Sequence, residues 1–193
     1  MGRPIILVDL DGVLVDFDGW IFDRSDMFPS LNCTYASRDH YFLTDNVNEE
    51  DAAKMRKLVN ESRIFLEADP LPGAIEGLNA LRDEAEVWLC TRPLEANLTC
   101  RDDKARWVRE HFDAGLEKRL ILTSDKSLVH GDLLLDDHIK IPELERATWR
   151  GVCYEQPFNQ WQGGAGTWDH LPRFQWGDDI ENLLCLVDDN VWG

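Results

Sequence analysis

The chain has 193 residues and is 44% hydrophobic. That is the size of one ordinary domain with room for a small insert, and enough apolar material for a real core. A net charge of −17 argues against partners that are themselves extended anions, a nucleic-acid polymer or an anionic membrane surface, and a small anionic substrate would need a local cluster of cations. The five cysteines (Cys33, Cys90, Cys100, Cys153, Cys185) form no C-x-x-C pair and are odd in number. Neither a zinc site nor a secreted disulfide framework is expected; without a signal peptide or an apolar run of spanning length, a cytoplasmic protein with reduced thiols is.

In chain order, Ile5 to Val8 reads as a buried strand, and Gly12 lets the chain turn sharply at its end. Alternation along a strand puts Asp9 and Asp11 on one side, at the edge where open α/β sheets bind ligands. Two acids facing one pocket suit phosphoryl transfer: Asp9 attacks phosphorus, while Asp11 protonates the leaving alkoxide and then activates water. Like charges this close call for a cation, and Mg²⁺ is the hard ion that takes carboxylate and phosphate oxygens. A bare D-x-D-G is more often an acidic turn, so the weight falls on the rest of the chain.

From Phe17 to about Asp69 the aromatics are scattered, with a helix expected over Asp51 to Asn60 that turns Ala52, Met55, Leu58 and Val59 inward. This reads as a small helical insert, ended by the DPLPG run at Asp69 to Gly73. A helix follows over Ala74 to Arg82, with Ile75, Leu78 and Leu81 on one face. Four strand-length apolar runs come next, Val87 to Cys90, Leu120 to Leu122, Leu133 to Leu135 and Val152 to Tyr154. An amphipathic helix over Asp102 to Phe112 lies between the first two, with Ala105, Val108 and Phe112 at helical spacing and Trp107 beside them. This order predicts an α/β fold, a doubly wound parallel sheet with right-handed crossovers, closed by a helix over Asp179 to Val187. The GGAG stretch at 163–166 lacks the Lys and Ser/Thr of a phosphate loop and reads as a connection.

The strand ends carry the chemistry. Val87 to Cys90 runs into Thr91, Arg92 and Pro93, which offer a phosphate a hydroxyl, backbone N–H groups and a cation. Leu120 to Leu122 leads to Lys126, a cation able to neutralise charge shared by Asp9 and phosphoryl oxygens, and Leu133 to Leu135 ends in Asp136 and Asp137. Each has an ordinary structural use alone, as helix cap, solvated charge or turn. Acids, hydroxyl, lysine and acids at four strand ends of one chain are hard to assign to independent accidents.

The order DLDGV, Thr91, Lys126, DLLLDD resembles the four motifs of the haloacid dehalogenase (HAD) superfamily. DLDGVLVDF, DPLPGA, WLCTRP, DDKARWVREHF and LILTSDKSLVHGDLLLDD together are similar to the 5′(3′)-deoxyribonucleotidases over roughly residues 4 to 140. The resemblance implies a HAD-like core of residues 1–16 and 70–193 and a helical cap of residues 17–69. It implies hydrolysis of nucleoside monophosphates through a phospho-aspartate, with Asp9 as nucleophile and metal ligand and Asp11 as general acid/base that gives its carbonyl to Mg²⁺. Asp137 with Asp136 would complete the metal site, and Thr91 and Lys126 would hold the phosphate. The base would lie among Phe17, Tyr41, Phe42, Leu43 and Phe65, although aromatics in a small helical unit are more often its core. A homodimer is a further expectation of the resemblance.

Two positions depart from the pattern: Arg92 stands where serine is usual, reaching the phosphate or pointing outward, and His138 where a basic residue is common. The tryptophans of the tail (Trp161, Trp168, Trp176, Trp192) fit only loosely and read as sheet cover. Two other readings stand beside the nucleotidase: a phosphatase of the same superfamily for another small ester such as a sugar phosphate, and a non-catalytic phosphate-binding regulatory module. Aromatic residues in the insert disfavour a polyhydroxylated sugar. The intact set Asp9, Asp11, Lys126 and Asp137 counts against the module. A response-regulator receiver would lack Asp11 as proton donor and the insert.

Overall fold

The computed structural model describes residues 2–160 and 170–187. Its frame is a parallel six-stranded sheet: β1 (Ile5–Val8), β2 (Glu86–Thr91), β3 (Leu120–Leu122), β4 (Leu133–Asp136), β5 (Arg150–Tyr154) and β6 (Arg173–Phe174), in the spatial order β3-β2-β1-β4-β5-β6. Between β1 and β2 lie α1 (Phe17–Phe22), α2 (Glu49–Glu61), α3 (Ile64–Glu67) and α4 (Ala74–Glu84). Helices α5 (Cys100–His111) and α6 (Ala114–Glu117) connect β2 to β3, α7 (Ile141–Leu144) connects β4 to β5, and α8 (Ile180–Leu184) follows β6. This is the doubly wound α/β architecture that the alternation of elements predicts.

The central strands are apolar without alternation because both faces of the sheet are covered. Ile6, Val8, Val87, Leu89, Leu133 and Leu135 enter the larger core. Their neighbours Leu7, Cys90 and Leu134 enter a smaller one with Ile139 and Trp149. Val8 is in register with Leu89 on one side and Leu135 on the other, so β1, β2 and β4 end level. The order reverses at β1, the switch point where such sheets open a crevice.

Strand β6 was not anticipated: two residues are too few to show a period, and only pairing with Cys153 and Tyr154 makes them a strand. The helix expected from Asp51 begins at Glu49, because the Asn48 side chain caps it by accepting from the Asp51 N–H at 2.9 Å. Its Ala52 and Met55 are buried, while Leu58 and Val59 are half-buried. The α5 face differs more. Ala105 and Phe112 are half-buried, while Asp103 and Lys104 are buried with Trp107 and Val108. The C-terminal helix runs from Ile180, capped by Asp179, and ends in a 3₁₀ turn over Cys185–Val187.

The chain leaves the sheet after Asp16 and returns at Asp69, where the Asp16 N–H donates to the Asp69 carbonyl and the Leu71 N–H to that of Leu14, both at 2.8 Å. Trp176 covers this junction, donating to the Val13 carbonyl at 2.6 Å and packing its ring against Gly77. Trp161, Trp168, Trp192 and the GGAG stretch lie outside the described residues.

Candidate active site

The level ends of β1, β2 and β4 bring Asp9, Thr91, Asp136 and Asp137 together, and the turn after β3 adds Lys126. Asp9 points one oxygen at the Leu10 N–H (2.7 Å) and the other at Lys126 Nζ (2.9 Å). Lys126 is fully buried and also donates to Asp136 Oδ2 at 2.7 Å. The remaining Asp136 oxygen accepts the His138 N–H at 2.8 Å. Carboxylate oxygens of Asp9, Asp136 and Asp137 lie within 4.8 Å of one another, a buried all-oxygen cluster with the chemistry of a hard divalent cation.

Three acids and one lysine leave the cluster short of positive charge. Burial pushes the Asp9 carboxyl up against the pull of Lys126, with Asp136 and Asp11 adding to the rise. Burial, then Asp136 and Asp9, hold the Asp137 carboxyl well above the usual range. For Asp136, burial works in the same direction but is outweighed by Lys126 and the His138 N–H, which keep its carboxyl low.

Asp11 is organised by a residue the sequence did not single out. Lys104 of α5 is buried and spends its three ammonium protons on Asp11 Oδ2 (2.6 Å), Thr91 Oγ1 (2.9 Å) and the Arg92 carbonyl (2.8 Å). Its ammonium also lies 5.0 Å from the centre of the Phe65 ring. The other Asp11 oxygen is buried and without a partner among the described residues. The signal was present in the sequence, since Lys104 falls four residues before Val108 on the apolar stripe of α5, where a charge needs a partner.

Gly12 is required by geometry. Its φ is +73°, and a Cβ there would run into the Asp137 carboxylate. Two further residues missed in the sequence hold the acid-bearing loops from the segment after β5. Gln156 donates to the Gly12 carbonyl at 2.6 Å and accepts the Tyr35 hydroxyl at 3.0 Å. Asn159 donates to the Asp137 carbonyl at 3.1 Å. Both are buried amides in a loop without a recognisable pattern.

Arg92 sits at the rim, ion-paired with the buried Glu143 and directed toward the Ser124 carbonyl at 3.4 Å. Glu143 also accepts the Lys126 N–H at 3.2 Å, so Arg92 braces the lysine loop.

A cavity of about 450 Å³ opens beside the acids, lined by Asp11, Gly12, Arg92 and Asp137 and by Phe17, Tyr41, Phe42, Leu43, Phe65 and Phe158, among others. Phe65 is buried and meets Phe17 at 5.8 Å between ring centres, Leu43 is buried, and Phe42 is 62% exposed at the edge. A second, more open hollow of about 480 Å³ between Phe22 and Tyr35 offers one acid, Asp26, and no lysine or arginine.

Residues 3–178 match the family model described as 5′ nucleotidase, deoxy (pyrimidine), cytosolic type C protein. The human cytosolic 5′(3′)-deoxyribonucleotidase is 31% identical over 163 residues, covering 80% of this chain and 81% of the human protein. The mouse mitochondrial 5′(3′)-deoxyribonucleotidase is 30% identical over 194 residues, covering 93% and 84%. Among solved structures, a haloacid dehalogenase-like hydrolase from Xanthomonas campestris shares the fold at a TM-score of 0.55 and 13% identity, with 96% of this chain and 97% of that one covered. The Bacillus subtilis HAD-hydrolase YfnB does so at 0.56 and 10%, with 97% and 100% covered. The family match over nearly the whole chain, on a HAD-like sheet with its acids gathered at the strand ends, means that the chain belongs to the 5′(3′)-deoxyribonucleotidase family of phosphoric monoester hydrolases.

Proposed function

We propose that the protein is a Mg²⁺-dependent nucleotidase, acting in the cytoplasm, that hydrolyses deoxyribonucleoside and ribonucleoside monophosphates to nucleoside and phosphate through a phospho-aspartate at Asp9. The observation that carries this reading is one cavity whose wall passes from Asp11 and Asp137 to a set of aromatic rings. A phosphate at the acid end leaves the rings to a flat, apolar group, which a nucleobase supplies and a sugar phosphate does not. Residues 17–69 act in this reading as a cap that contributes the rings.

Asp9, Asp136 and Asp137, with the Asp11 carbonyl, would hold Mg²⁺, which supplies charge neutralisation between an anionic nucleophile and an anionic substrate. Lys126 fixes the attacking carboxylate of Asp9 and brings positive charge to the phosphoryl oxygens, while Lys104, by donating to Thr91 Oγ1, leaves the Thr91 hydroxyl proton free for them and holds Asp11 in place. An Asp9 oxygen forms a bond to phosphorus as the bond to the ester oxygen breaks, and the leaving oxygen takes a proton from Asp11. Asp11 then removes a proton from water, the water oxygen attacks the phospho-aspartate, and inorganic phosphate leaves with Asp9 restored.

Phosphate release from a panel of deoxy- and ribonucleoside monophosphates and sugar phosphates, with Mg²⁺ and with EDTA, tests the reading. Metal-dependent release from nucleotides is expected. Preference for sugar phosphates, or no release from any ester, would move the function to another phosphatase or to a binding module.

A further inference from the structure

Tyr41 does not stand alone at the cavity wall. Its ring lies face to face with the imidazole of His138, with centres 3.7 Å apart and planes 14° from parallel. Phe42 and Phe158 meet it edge-on at 4.8 and 5.4 Å. The loop that carries Tyr41 is gripped from its other end by Arg38, a buried guanidinium that pairs with Asp18 and donates to the carbonyls of His40 and Tyr41. The same guanidinium lies 4.5 Å over the ring of Phe158. These Arg38 contacts hold the loop in place, while the guanidinium also lines the cavity and bears on Asp137.

The partner in the stack comes from the other side of the site. His138 follows Asp136 and Asp137 at the end of β4, and its backbone N–H is tied to Asp136. Tyr41 is therefore fixed by the strand that carries two of the clustered acids, although it belongs to the segment between β1 and β2. A ring has two faces, and with one against His138 only the other can meet a planar ligand. The depth and tilt of that face follow the imidazole. A flat ring makes this face-to-face contact, and an aliphatic side chain of similar size does not.

We propose that His138 is a positioning residue for base recognition: by stacking on Tyr41 it sets the ring against which the nucleobase lies, and so couples recognition in the insert to the acid-bearing end of β4. The inference rests on the nucleotidase reading and adds to it the residue that orients the base-facing wall. It places His138 in no bond-breaking step.

The test is the ratio of KM for a nucleoside monophosphate to KM for p-nitrophenyl phosphate, which carries no base, with Mg²⁺ half-saturation measured alongside because His138 neighbours Asp137. In His138→Ala the ratio should rise about 3- to 10-fold, the worth of one aromatic pair, and His138→Phe should restore it to within about twofold. Adding His138→Ala to Tyr41→Ala should leave the ratio where Tyr41→Ala alone puts it, since one residue acts through the other. Should His138→Ala fail to fold, His138→Leu, which fills the space without a plane, takes its place in the comparison. An unchanged ratio in the Ala or Leu variant, a Phe variant as impaired as they are, or additive effects in the double variant would overturn the proposal. Nucleotide turnover by the unaltered protein with any of those results removes this inference alone, whereas no nucleotide turnover at all removes the nucleotidase reading and this inference together.

Discussion

At the residue scale, the consequential side chains are those whose charge is buried and answered by a specific partner. Asp9 is held by the Leu10 N–H and Lys126, so Asp9→Asn keeps the shape and removes the nucleophile. Turnover should vanish while the melting temperature stays close to that of the unaltered protein; near-normal activity in purified Asp9→Asn would refute the covalent route. Asp11→Asn should lower kcat by about two to four orders of magnitude, the usual scale of general acid/base catalysis. Lys104 is the sharper case, because its single ammonium bridges Asp11, Thr91 and the Arg92 carbonyl. Lys104→Met leaves Asp11 and Thr91 without the cation that orients them and should reduce kcat/KM by about 10²- to 10³-fold, the scale of a lost preorganised electrostatic contact, and a loss under about threefold would make the lysine structural. The acids were legible because they follow apolar runs directly. Lys104 was legible only in part: its place four residues before Val108 marks an inward position on α5, but its partner Asp11 stands 93 positions away.

At the scale of elements, the segment between β1 and β2 is fastened to the elements that follow it at several points. Tyr41 stacks on His138 and Tyr35 donates to Gln156. Arg63 pairs with the buried Asp103 of α5, and Asn97 donates to the carbonyls of Val59 and Ser62 at 2.7 and 2.9 Å. The start of α2 is anchored by Asp51, whose carboxylate takes the Ser30 hydroxyl (2.6 Å) and N–H (2.9 Å) and the Lys54 ammonium (3.0 Å). These bonds pull the Asp51 carboxyl down to about 2. A depressed acid stabilises the fold fully above its ordinary value near 3.8 and loses that contribution as the pH falls toward 2. The melting temperature should therefore drop between pH 5 and pH 2.5 more steeply in the unaltered protein than in Asp51→Asn, and equal slopes would show that the anchor carries no such linkage. The helix itself could be read from the spacing of Ala52 and Met55. Its anchoring could not, since Ser30 lies 21 residues away.

For the whole molecule, the sheet gathers three acids into one buried cluster and leaves it short of cations, so the folded state carries an electrostatic liability that a divalent ion would relieve under the proposed function. Mg²⁺ at about 100 times its Kd should stabilise the fold by about 2.7 kcal/mol, a rise of about 5–10 °C in melting temperature for a chain of this size. EDTA should reverse the shift and Asp137→Asn should abolish it; an equal shift in that variant would place the ion elsewhere. The parallel sheet itself was legible in the alternation of apolar runs with helical stretches, and the strand ends marked which acids and which lysine gather at its edge. Strand β6, the Gln156 and Asn159 brackets and the Arg92–Glu143 pair were hidden, because each depends on residues brought together by the fold rather than by spacing.

What the sequence by itself determined is therefore local and periodic: which runs are strands, where they stop, and that acids, a hydroxyl and a lysine stand at those stops. Apolar burial and turn chemistry act over a few residues and leave their mark in order along the chain. What only the tertiary structure decided is partnership. Lys104 meets Asp11 across 93 positions, Gln156 meets Gly12 across 144, and Tyr41 meets His138 from the other side of the site. Electrostatic and stacking contacts act over a few ångströms in space, and the sequence separation of such partners carries no trace of that distance until the sheet closes it.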